Sequence, residues 1–566
     1  MKLWKWVTSQ SDYKDESDCE VTWNILDNDG KVDIDTLECF AYQDNKTRYE
    51  LFREPTVKDA MHRAIHLQEH TPVAKAFKAC FPYEFVCTNY HKSEWYYYNQ
   101  NRWIEIDGTS TLMWYINEKF QPKIEQLRAE ISQKIATSRD QEFKSRNETI
   151  LSLIGTLIKK LSGYSFKNGL CNELKVYYHN PRFNGYKDII PHYTATPSGV
   201  IDLRGGKSIV RPGKPQDYIT KSTRYPYPHK FTWETKSVVE CLDYIKKVFR
   251  SKRLRDYFWR FSSSILFSGN IDKIFPIFAG EGDNSKSMLV RLFEAAFGSY
   301  AVKLPTALIV EKRTGADSAT PSLIHARGAK IAFLQEPNKK DTIQSGTVKE
   351  MTGNDTMYVR DLFQKGSKII EMEVTYVPVL IVNKIPPIPD CQRAIWERTR
   401  VINYGSTWAA NAPKYIEDQF TQGIFQMDRF FDKKIPLMAP AFLWILVQKY
   451  PDYVNEGLND PPEVMEATEN FRVNNNFYIH FTRDCLKQVV TPSGAAEMNA
   501  FVTLDELYTH FTKWFNQQQF NVKVPNKTDF KDEIQTTWKQ KADGENKWYG
   551  LQFNVQASTV QSLFIY

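Results

Sequence analysis

The sequence runs to 566 residues, with 74 Lys and Arg against 67 Asp and Glu, a net charge of +7 and a mean hydropathy of −0.50. That length supplies about three or four domains with separate cores. No window approaches the ~20 uninterrupted apolar residues of a membrane-spanning helix, and a mild basic excess permits nucleic-acid binding without demanding it. The eight cysteines (Cys19, Cys39, Cys80, Cys87, Cys171, Cys241, Cys391, Cys485) are scattered with no C-x-x-C pair. This pattern points to reduced thiols inside a cell and argues against a structural zinc.

Met1-Lys2-Leu3-Trp4-Lys5-Trp6 lacks the apolar core and cleavage site of a signal peptide. Residues 1 to about 70 are acidic and polar, with short alternating stretches; Asp33-x-Asp35 reads as an acidic loop rather than a remnant metal pair. From about 71 to 235 the pattern is helical, with aromatic clusters such as Trp95-Tyr96-Tyr97-Tyr98 and a loop-rich end. Within it, Tyr164-Ser165-Phe166-Lys167 and Tyr177-Tyr178-His179 mix aromatic and basic residues, a candidate DNA contact weighed against ordinary core packing with a solvated rim. Residues 236 to about 406 alternate helical and short apolar segments, the pattern of a parallel α/β sheet. From 407 to about 500 the pattern is helical again, and the final stretch, 501–566, places a helix at Leu504–Phe515 and a hairpin near Trp548-Tyr549-Gly550-Leu551. No internal repeat or low-complexity tract interrupts this order.

The chemistry concentrates in Gly280-Glu281-Gly282-Asp283-Asn284-Ser285-Lys286-Ser287, which follows an apolar run and leads through Met288 into helically spaced Leu289, Leu292, Phe293 and Ala296. Strand, tight loop and helix in that order let backbone N–H groups and the positive end of a helix dipole wrap a triphosphate. Lys286 reaches the β- and γ-phosphates in this reading, and the Ser287 hydroxyl binds Mg²⁺. Ser285 stands where the G-x-x-x-x-G-K-[ST] pattern has its second glycine, and serine tolerates positive φ less well.

A second apolar strand, Lys330-Ile331-Ala332-Phe333-Leu334, ends in Gln335-Glu336 beside the phosphate loop. Glu336 is assigned to water activation and, with Ser287, to the metal; Gln335 replaces the second acidic residue usual at such sites. A third strand, Val377–Val382, ends in Asn383, whose polar side chain suits a γ-phosphate sensor; Pro386 removes the aspartate that GTP recognition needs. Fifteen residues on, Arg398 suits a finger that reaches a neighbouring subunit's nucleotide, with Arg400 the second choice and a surface salt bridge to Glu397 or Glu371 the bland alternative. Between the second and third strands, Met357–Phe363 and Ile369–Glu373 flank a glycine-containing turn and read as a β-hairpin. Arg360 with Lys365 and Lys368 at its tip supplies charges for DNA phosphates.

In combination these motifs (G-x-G-x-N-S-K-S, A-K-I-A-F-L-Q-E, V-K-E-M-T-G-N-D-T-M-Y-V-R, V-P-V-L-I-V-N-K-I-P, A-I-W-E-R-T-R) resemble the superfamily 3 helicase core of the poxvirus-type primase–helicases of large nucleocytoplasmic DNA viruses and some phages. The resemblance covers about residues 71–510: Trp95 to Trp103, Gly199–Leu203 and Asp217–Lys221 upstream, and Pro461–Val464, Ala467-Thr468 and Tyr478 downstream, are similar to the flanking helical domains. Glu506-Leu507-Tyr508 with Lys513-Trp514-Phe515 resembles a winged-helix tail.

The resemblance implies a mainly α, multidomain chain around a central α/β AAA+-like parallel sheet. Its expected divisions are an N-terminal segment at 1–70, a helical domain at 71–235, the ATPase core at 236–406, a helical lid at 407–500 and a winged helix at 501–566. It further implies a ring, a hexamer, that binds ATP and Mg²⁺ and pulls single-stranded or forked DNA through its centre. Viral polymerase or processivity factors are the further partners, with host cytoplasm or nucleus as the setting and no membrane. About 70 residues precede the helical domain, too few for the primase that relatives carry there, so no primer synthesis is expected of this chain. The alternatives from other classes are an AAA+-like machine that loads or remodels proteins and a DNA-binding scaffold with a structural nucleotide site.

Overall fold

The computed structural model describes residues 46–206, 208–311, 321–335, 337, 341–354, 356–360, 369–388, 393–490, 496–518, 524–538 and 542–554. They divide into two units, one formed by residues 1–201 with 210–222 and the other by 202–209 with 223–566.

In the first unit, α1 (Lys46–Leu67) and α2 (His70–Cys80) pack together ahead of an antiparallel sheet of β1 (Phe85–Asn89), β2 (Glu94–Asn99) and β3 (Arg102–Asp107). Helices α3 (Gly108–Tyr115), α4 (Gln121–Thr137), α5 (Gln141–Ser162) and α6 (Tyr164–Tyr177) follow, and a small sheet of β4 (Tyr193–Thr196), β5 (Gly199–Asp202) and β6 (Ile209–Arg211) comes after them. Met61, Ala64 and Ile65 of α1 enter the same core as Phe77, Trp95 and Phe120, so the packed unit includes residues ahead of the expected boundary at 71.

The Trp95–Tyr98 cluster is a strand and not part of a helix. Trp95 and Tyr97 face the main core, whereas Tyr96 and Tyr98 face a second cluster with Trp103 and Phe183. Such a two-residue period between two apolar environments suits the pleat and defeats a helix, and aromatic residues favour that surface. Of the proposed aromatic DNA contacts, Tyr178 is 2% exposed and its hydroxyl donates to the Phe81 carbonyl at 2.5 Å, while Phe166 stacks on His70 at 4.5 Å. Core packing accounts for both rings.

The second unit opens with α7 (Lys236–Val248) and α8 (Lys252–Ser264), then alternates strands and helices: β7 (Phe275–Ala279), α9 (Lys286–Phe297), β8 (Ala301–Leu304), β9 (Ile331–Gln335), α10 (Ser345–Thr352), the hairpin β10 (Thr356–Arg360) and β11 (Ile369–Glu373), β12 (Val377–Val382), α11 (Arg393–Arg398) and β13 (Thr399–Asn403). The central sheet is parallel, in the order β13-β7-β12-β9-β8. Every residue of β7 and β12 is buried, as continuous apolar strands must be when both sheet faces are covered. The strand that ends in Gln335 is therefore not next to the phosphate-loop strand, because β12 lies between them. β7 leads away to β8 on one side while β13 flanks it on the other, so its carboxyl end sits at the sheet's topological switch point.

Beyond the sheet come β14 (Thr407–Ala409), α12 (Ile416–Gln422), β15 (Ile424–Gln426) and the long helix α13 (Phe431–Glu456), which packs on α7, α8 and α9. Then α14 (Pro462–Asn475) lies against β13, where Thr468 Oγ accepts from the Val401 N–H at 2.9 Å. The end of the chain is a small helix-and-strand module: α15 (Phe477–Cys485), β16 (Leu486–Gln488), β17 (Phe501–Thr503), α16 (Leu504–Gln517), α17 (Lys527–Trp538), β18 (Lys547–Tyr549) and β19 (Leu551–Phe553). Thr503 and Glu506 cap α16 reciprocally. Phe477 and Phe481 of α15 share its aromatic core, so this module begins ahead of residue 501. The hairpin expected at Trp548–Leu551 is absent: β18 pairs with β17 and β19 with β16, and Gly550 turns between them at φ 74°. A side chain on Gly550 would lie 2.8 Å from the Ala496 Cβ, so only glycine fits that corner.

Candidate functional site: a phosphate loop at the end of the central sheet

The loop after β7 is anchored on its outer side, where the Tyr404 N–H donates to Ala279 O at 2.8 Å and the Trp408 N–H to Asp283 O at 2.9 Å. Gly280 leaves the space that Asn284 fills; a Cβ there would sit 2.2 Å from Asn284 Nδ2 and 3.0 Å from Tyr404 O. Asp283 and Ser285 both adopt left-handed backbone, φ 56° and 69°. For a non-glycine residue that conformation costs roughly 1–2 kcal/mol. Helix α9 begins at Lys286 with no side-chain cap on its first turn, and Ser287 is exposed in that turn. An uncapped N-terminus presents unpaired N–H groups and the positive end of the helix dipole, which is a site for an anion.

Lys286 is 6% exposed. Its ammonium donates to Gly280 O at 2.5 Å, Asn284 Oδ1 at 2.9 Å and Glu281 O at 3.1 Å. With its Oδ1 so used, Asn284 keeps a buried Nδ2 without a hydrogen-bond partner among the described residues. Desolvation pulls the Lys286 pKa down to about 8. Above that pH the free site is increasingly neutral, whereas a phosphate beside the ammonium favours the charged form. Nucleotide binding above pH 8 must then take up a proton. The expected ATP affinity is flat below about pH 8 and falls by up to about tenfold per unit above it. Dissociation constants measured up to about pH 9.5 check this, and an unchanged affinity across that range would contradict it.

The neighbouring strand ends complete the site's rim. Val382 pairs with Ala279, so Asn383, exposed just past β12, lies level with Gly280. Gln335 pairs with Ile381 and is half-buried. Glu336, Lys365 and Lys368 lie outside the described residues, and Arg360 ends β10 at its pairing with Ile369. The antiparallel hairpin itself is present. Its base is tied to the approach to β7: Asn270 N–H donates to Asn354 Oδ1 at 2.9 Å, Asn354 Nδ2 returns a bond to Asn270 O at 3.0 Å, and Gly269 N–H donates to Thr375 O.

The two arginines after the sheet differ in what holds them. Arg400 pairs with Asp460 at 2.6 Å and also donates to the Glu397 and Thr399 carbonyls. Half-buried Arg398 donates to Ala394 O at 2.7 Å and keeps a buried Nε with no hydrogen-bond partner among the described residues. Glu397 is taken by Arg393 at 2.6 Å, so the salt bridge weighed for Arg398 does not form there. Sequence reading missed Asp460, Asn270 and Tyr244, which reach the site's supports across long sequence separations and carry no local motif, and it gave no role to Asn354 within V-K-E-M-T-G-N-D-T-M-Y-V-R.

Residues 74–252 match the family described as D5 N terminal like. The chain is 26% identical over 550 residues to a protein named "putative helicase" of Acanthamoeba polyphaga mimivirus, covering 95% of this chain and 56% of that one. It is 26% identical over 585 residues to a protein of the same name in Invertebrate iridescent virus 6 (93% and 59% covered), and 22% over 433 residues to a "putative primase" of African swine fever virus (75% and 43%). Among solved structures, the apo C-terminal region of NrS-1 is similar at 14% identity and a TM-score of 0.29, over 52% of this chain and 73% of that one. The chain thus spans a little over half the length of the first curated relatives it matches.

A glycine-containing strand–loop–helix turn at the switch point of a parallel five-stranded sheet gives an α/β core of the kind that suits a bound nucleotide. The amino-terminal match, with 22–26% identity to those viral proteins along most of the chain, is consistent with a superfamily 3 helicase of the poxvirus-type primase–helicase kind.

Proposed function

We propose that this chain is an ATP-dependent DNA helicase that works as a ring, a hexamer, and couples hydrolysis between subunits to movement along single-stranded DNA in viral genome replication. The observation that carries the reading is the uncapped start of α9 with Lys286 folded into the loop at its foot. ATP phosphates would displace the loop's own carbonyls from the Lys286 ammonium, and Asn284 Nδ2 supplies a spare donor at the same place. Gly280 to Met288 form the cradle. Asn383 senses the γ-phosphate, Glu336 orients and deprotonates the attacking water, and Arg398 of a neighbouring subunit neutralises charge in the transition state.

The exposed Ser287 hydroxyl, with Glu336, would hold Mg²⁺, which supplies charge neutralisation between the β- and γ-phosphates when bound. Arg360, with Lys365 and Lys368, meets DNA phosphates, and the Asn270–Asn354 tie carries strain between the β10–β11 pair and the strand feeding the phosphate loop. Forked DNA, polymerase and processivity factors are the partners this role calls for. No described helix is long and apolar enough to cross a membrane.

The test is DNA-stimulated turnover. Lys365→Ala with Lys368→Ala should abolish stimulation by single-stranded DNA while basal ATPase survives. A double variant that keeps full stimulation would remove Lys365 and Lys368 from the DNA contact, and a native chain that DNA never stimulates would remove the helicase reading and leave a protein-remodelling ATPase.

A further inference from the structure

Ser285 does two unusual things for a residue at its position. It holds a left-handed backbone that glycine would adopt without strain, and it stands at the N-cap of α9 without using its hydroxyl to cap the helix. The hydroxyl instead shares a 2.9 Å hydrogen bond with the phenol of Tyr244 on α7. Tyr244 is 4% exposed, and its ring packs 4.8 Å from Phe431, the first residue of α13. That helix in turn packs along α9.

We propose that Tyr244 is a positioning residue of the nucleotide site, which draws the Ser285 hydroxyl away from α9 so that the N–H groups of its first turn stay open to phosphate. The inference rests on the ATP-site reading above. Without the phenol, the serine hydroxyl is free to turn back onto the helix start and compete with the ligand for the same donors. The same bond holds the strained left-handed backbone at 285 in place; alanine there keeps the strain and loses the bond, whereas glycine has no hydroxyl to misplace and no strain to offset and makes the tyrosine dispensable. The bond also links loop geometry to α7 and α13, elements that the phosphate motif itself does not contain.

The experiment uses the full chain and Mg²⁺-ATP. Tyr244→Phe and Ser285→Ala are each expected to raise Kd and KM for ATP by about five- to tenfold, the range of one buried hydrogen bond, with kcat of Tyr244→Phe at saturation within about twofold. In the Ser285→Gly background, Tyr244→Phe should change Kd by less than about twofold, and that rescue is what a merely structural tyrosine would not give. Equal effects of Tyr244→Phe in both backgrounds would overturn the proposal, as would native affinity in both single variants. If Tyr244→Phe does not fold, Ser285→Ala decides alone by the same Kd criterion. Lys286→Ala runs alongside: if it leaves ATP binding intact, the site reading itself fails, whereas its loss of binding beside a native-like Tyr244→Phe sinks this inference only.

Discussion

Lys286→Ala is expected to abolish ATP turnover, a loss on the order of 10³ or more in kcat, while the chain stays folded. Two consequences of the geometry lead there. The ammonium is the cation at the loop's centre, and its removal leaves the Gly280 and Glu281 carbonyls facing the place where phosphate charge must be neutralised. Two acceptors pointed at an anion are worse than an empty pocket, so binding should weaken as well as chemistry. Stability should move little, for opposing reasons. The free chain loses three hydrogen bonds to Lys286 but also the cost of holding a desolvated charge, the cost already visible in a pKa drawn down to about 8. Equilibrium ATP binding, turnover and the thermal midpoint check this together. Turnover within tenfold of the native chain would mean that Gly280–Ser287 is not the hydrolytic site.

That loop could be read from eight residues because its requirements are local. Strand, loop and helix are contiguous, and Gly280, Lys286 and Ser287 all fall within that one turn. The parallel core was legible for a similar reason, since β7, β9 and β12 are buried on both faces and so appear as unbroken apolar runs. The order of those strands was not. Nothing in Val377–Val382 says that it will insert between β7 and β9, because sheet order is fixed by crossovers and not by the strands themselves.

The misread elements failed for the same physical reason. Trp95–Tyr98 looked helical in its surroundings because its period of two is clear only once two separate clusters receive its two faces. Trp548 to Leu551 looked like a hairpin because a glycine between apolar pairs normally turns a strand back. Here Gly550 redirects the chain to a different partner strand. Ser285 looked like a defect in a motif, and Tyr244, 41 residues earlier, supplies the hydrogen bond that makes the serine useful.

Arg398→Ala should cost about 10³–10⁵ in turnover if the residue acts as a finger, with ATP binding largely kept. The choice of Arg398 over Arg400 follows from their partners. Arg400 is bound to Asp460 with both side chains 22% exposed and donates to two carbonyls besides, so it is occupied in holding β13 to the residues before α14. Arg400→Ala should therefore lower the thermal midpoint first, through the stranded Asp460 carboxylate. Arg398 donates to Ala394 O and forms no ion pair among the described residues, so its guanidinium is the less committed of the two. Mixing separates action across an interface from action within one subunit. In a head-to-tail ring, a site supplied with Lys286 by an Arg398→Ala subunit is repaired by a Lys286→Ala neighbour. Random assembly of equal amounts makes about a quarter of sites whole. Turnover of the mixture should rise toward that fraction of native, although each variant alone is inactive. A mixture as inactive as its parents would place Arg398 outside the neighbour's site, and the ring model would then need a different trans-acting cation.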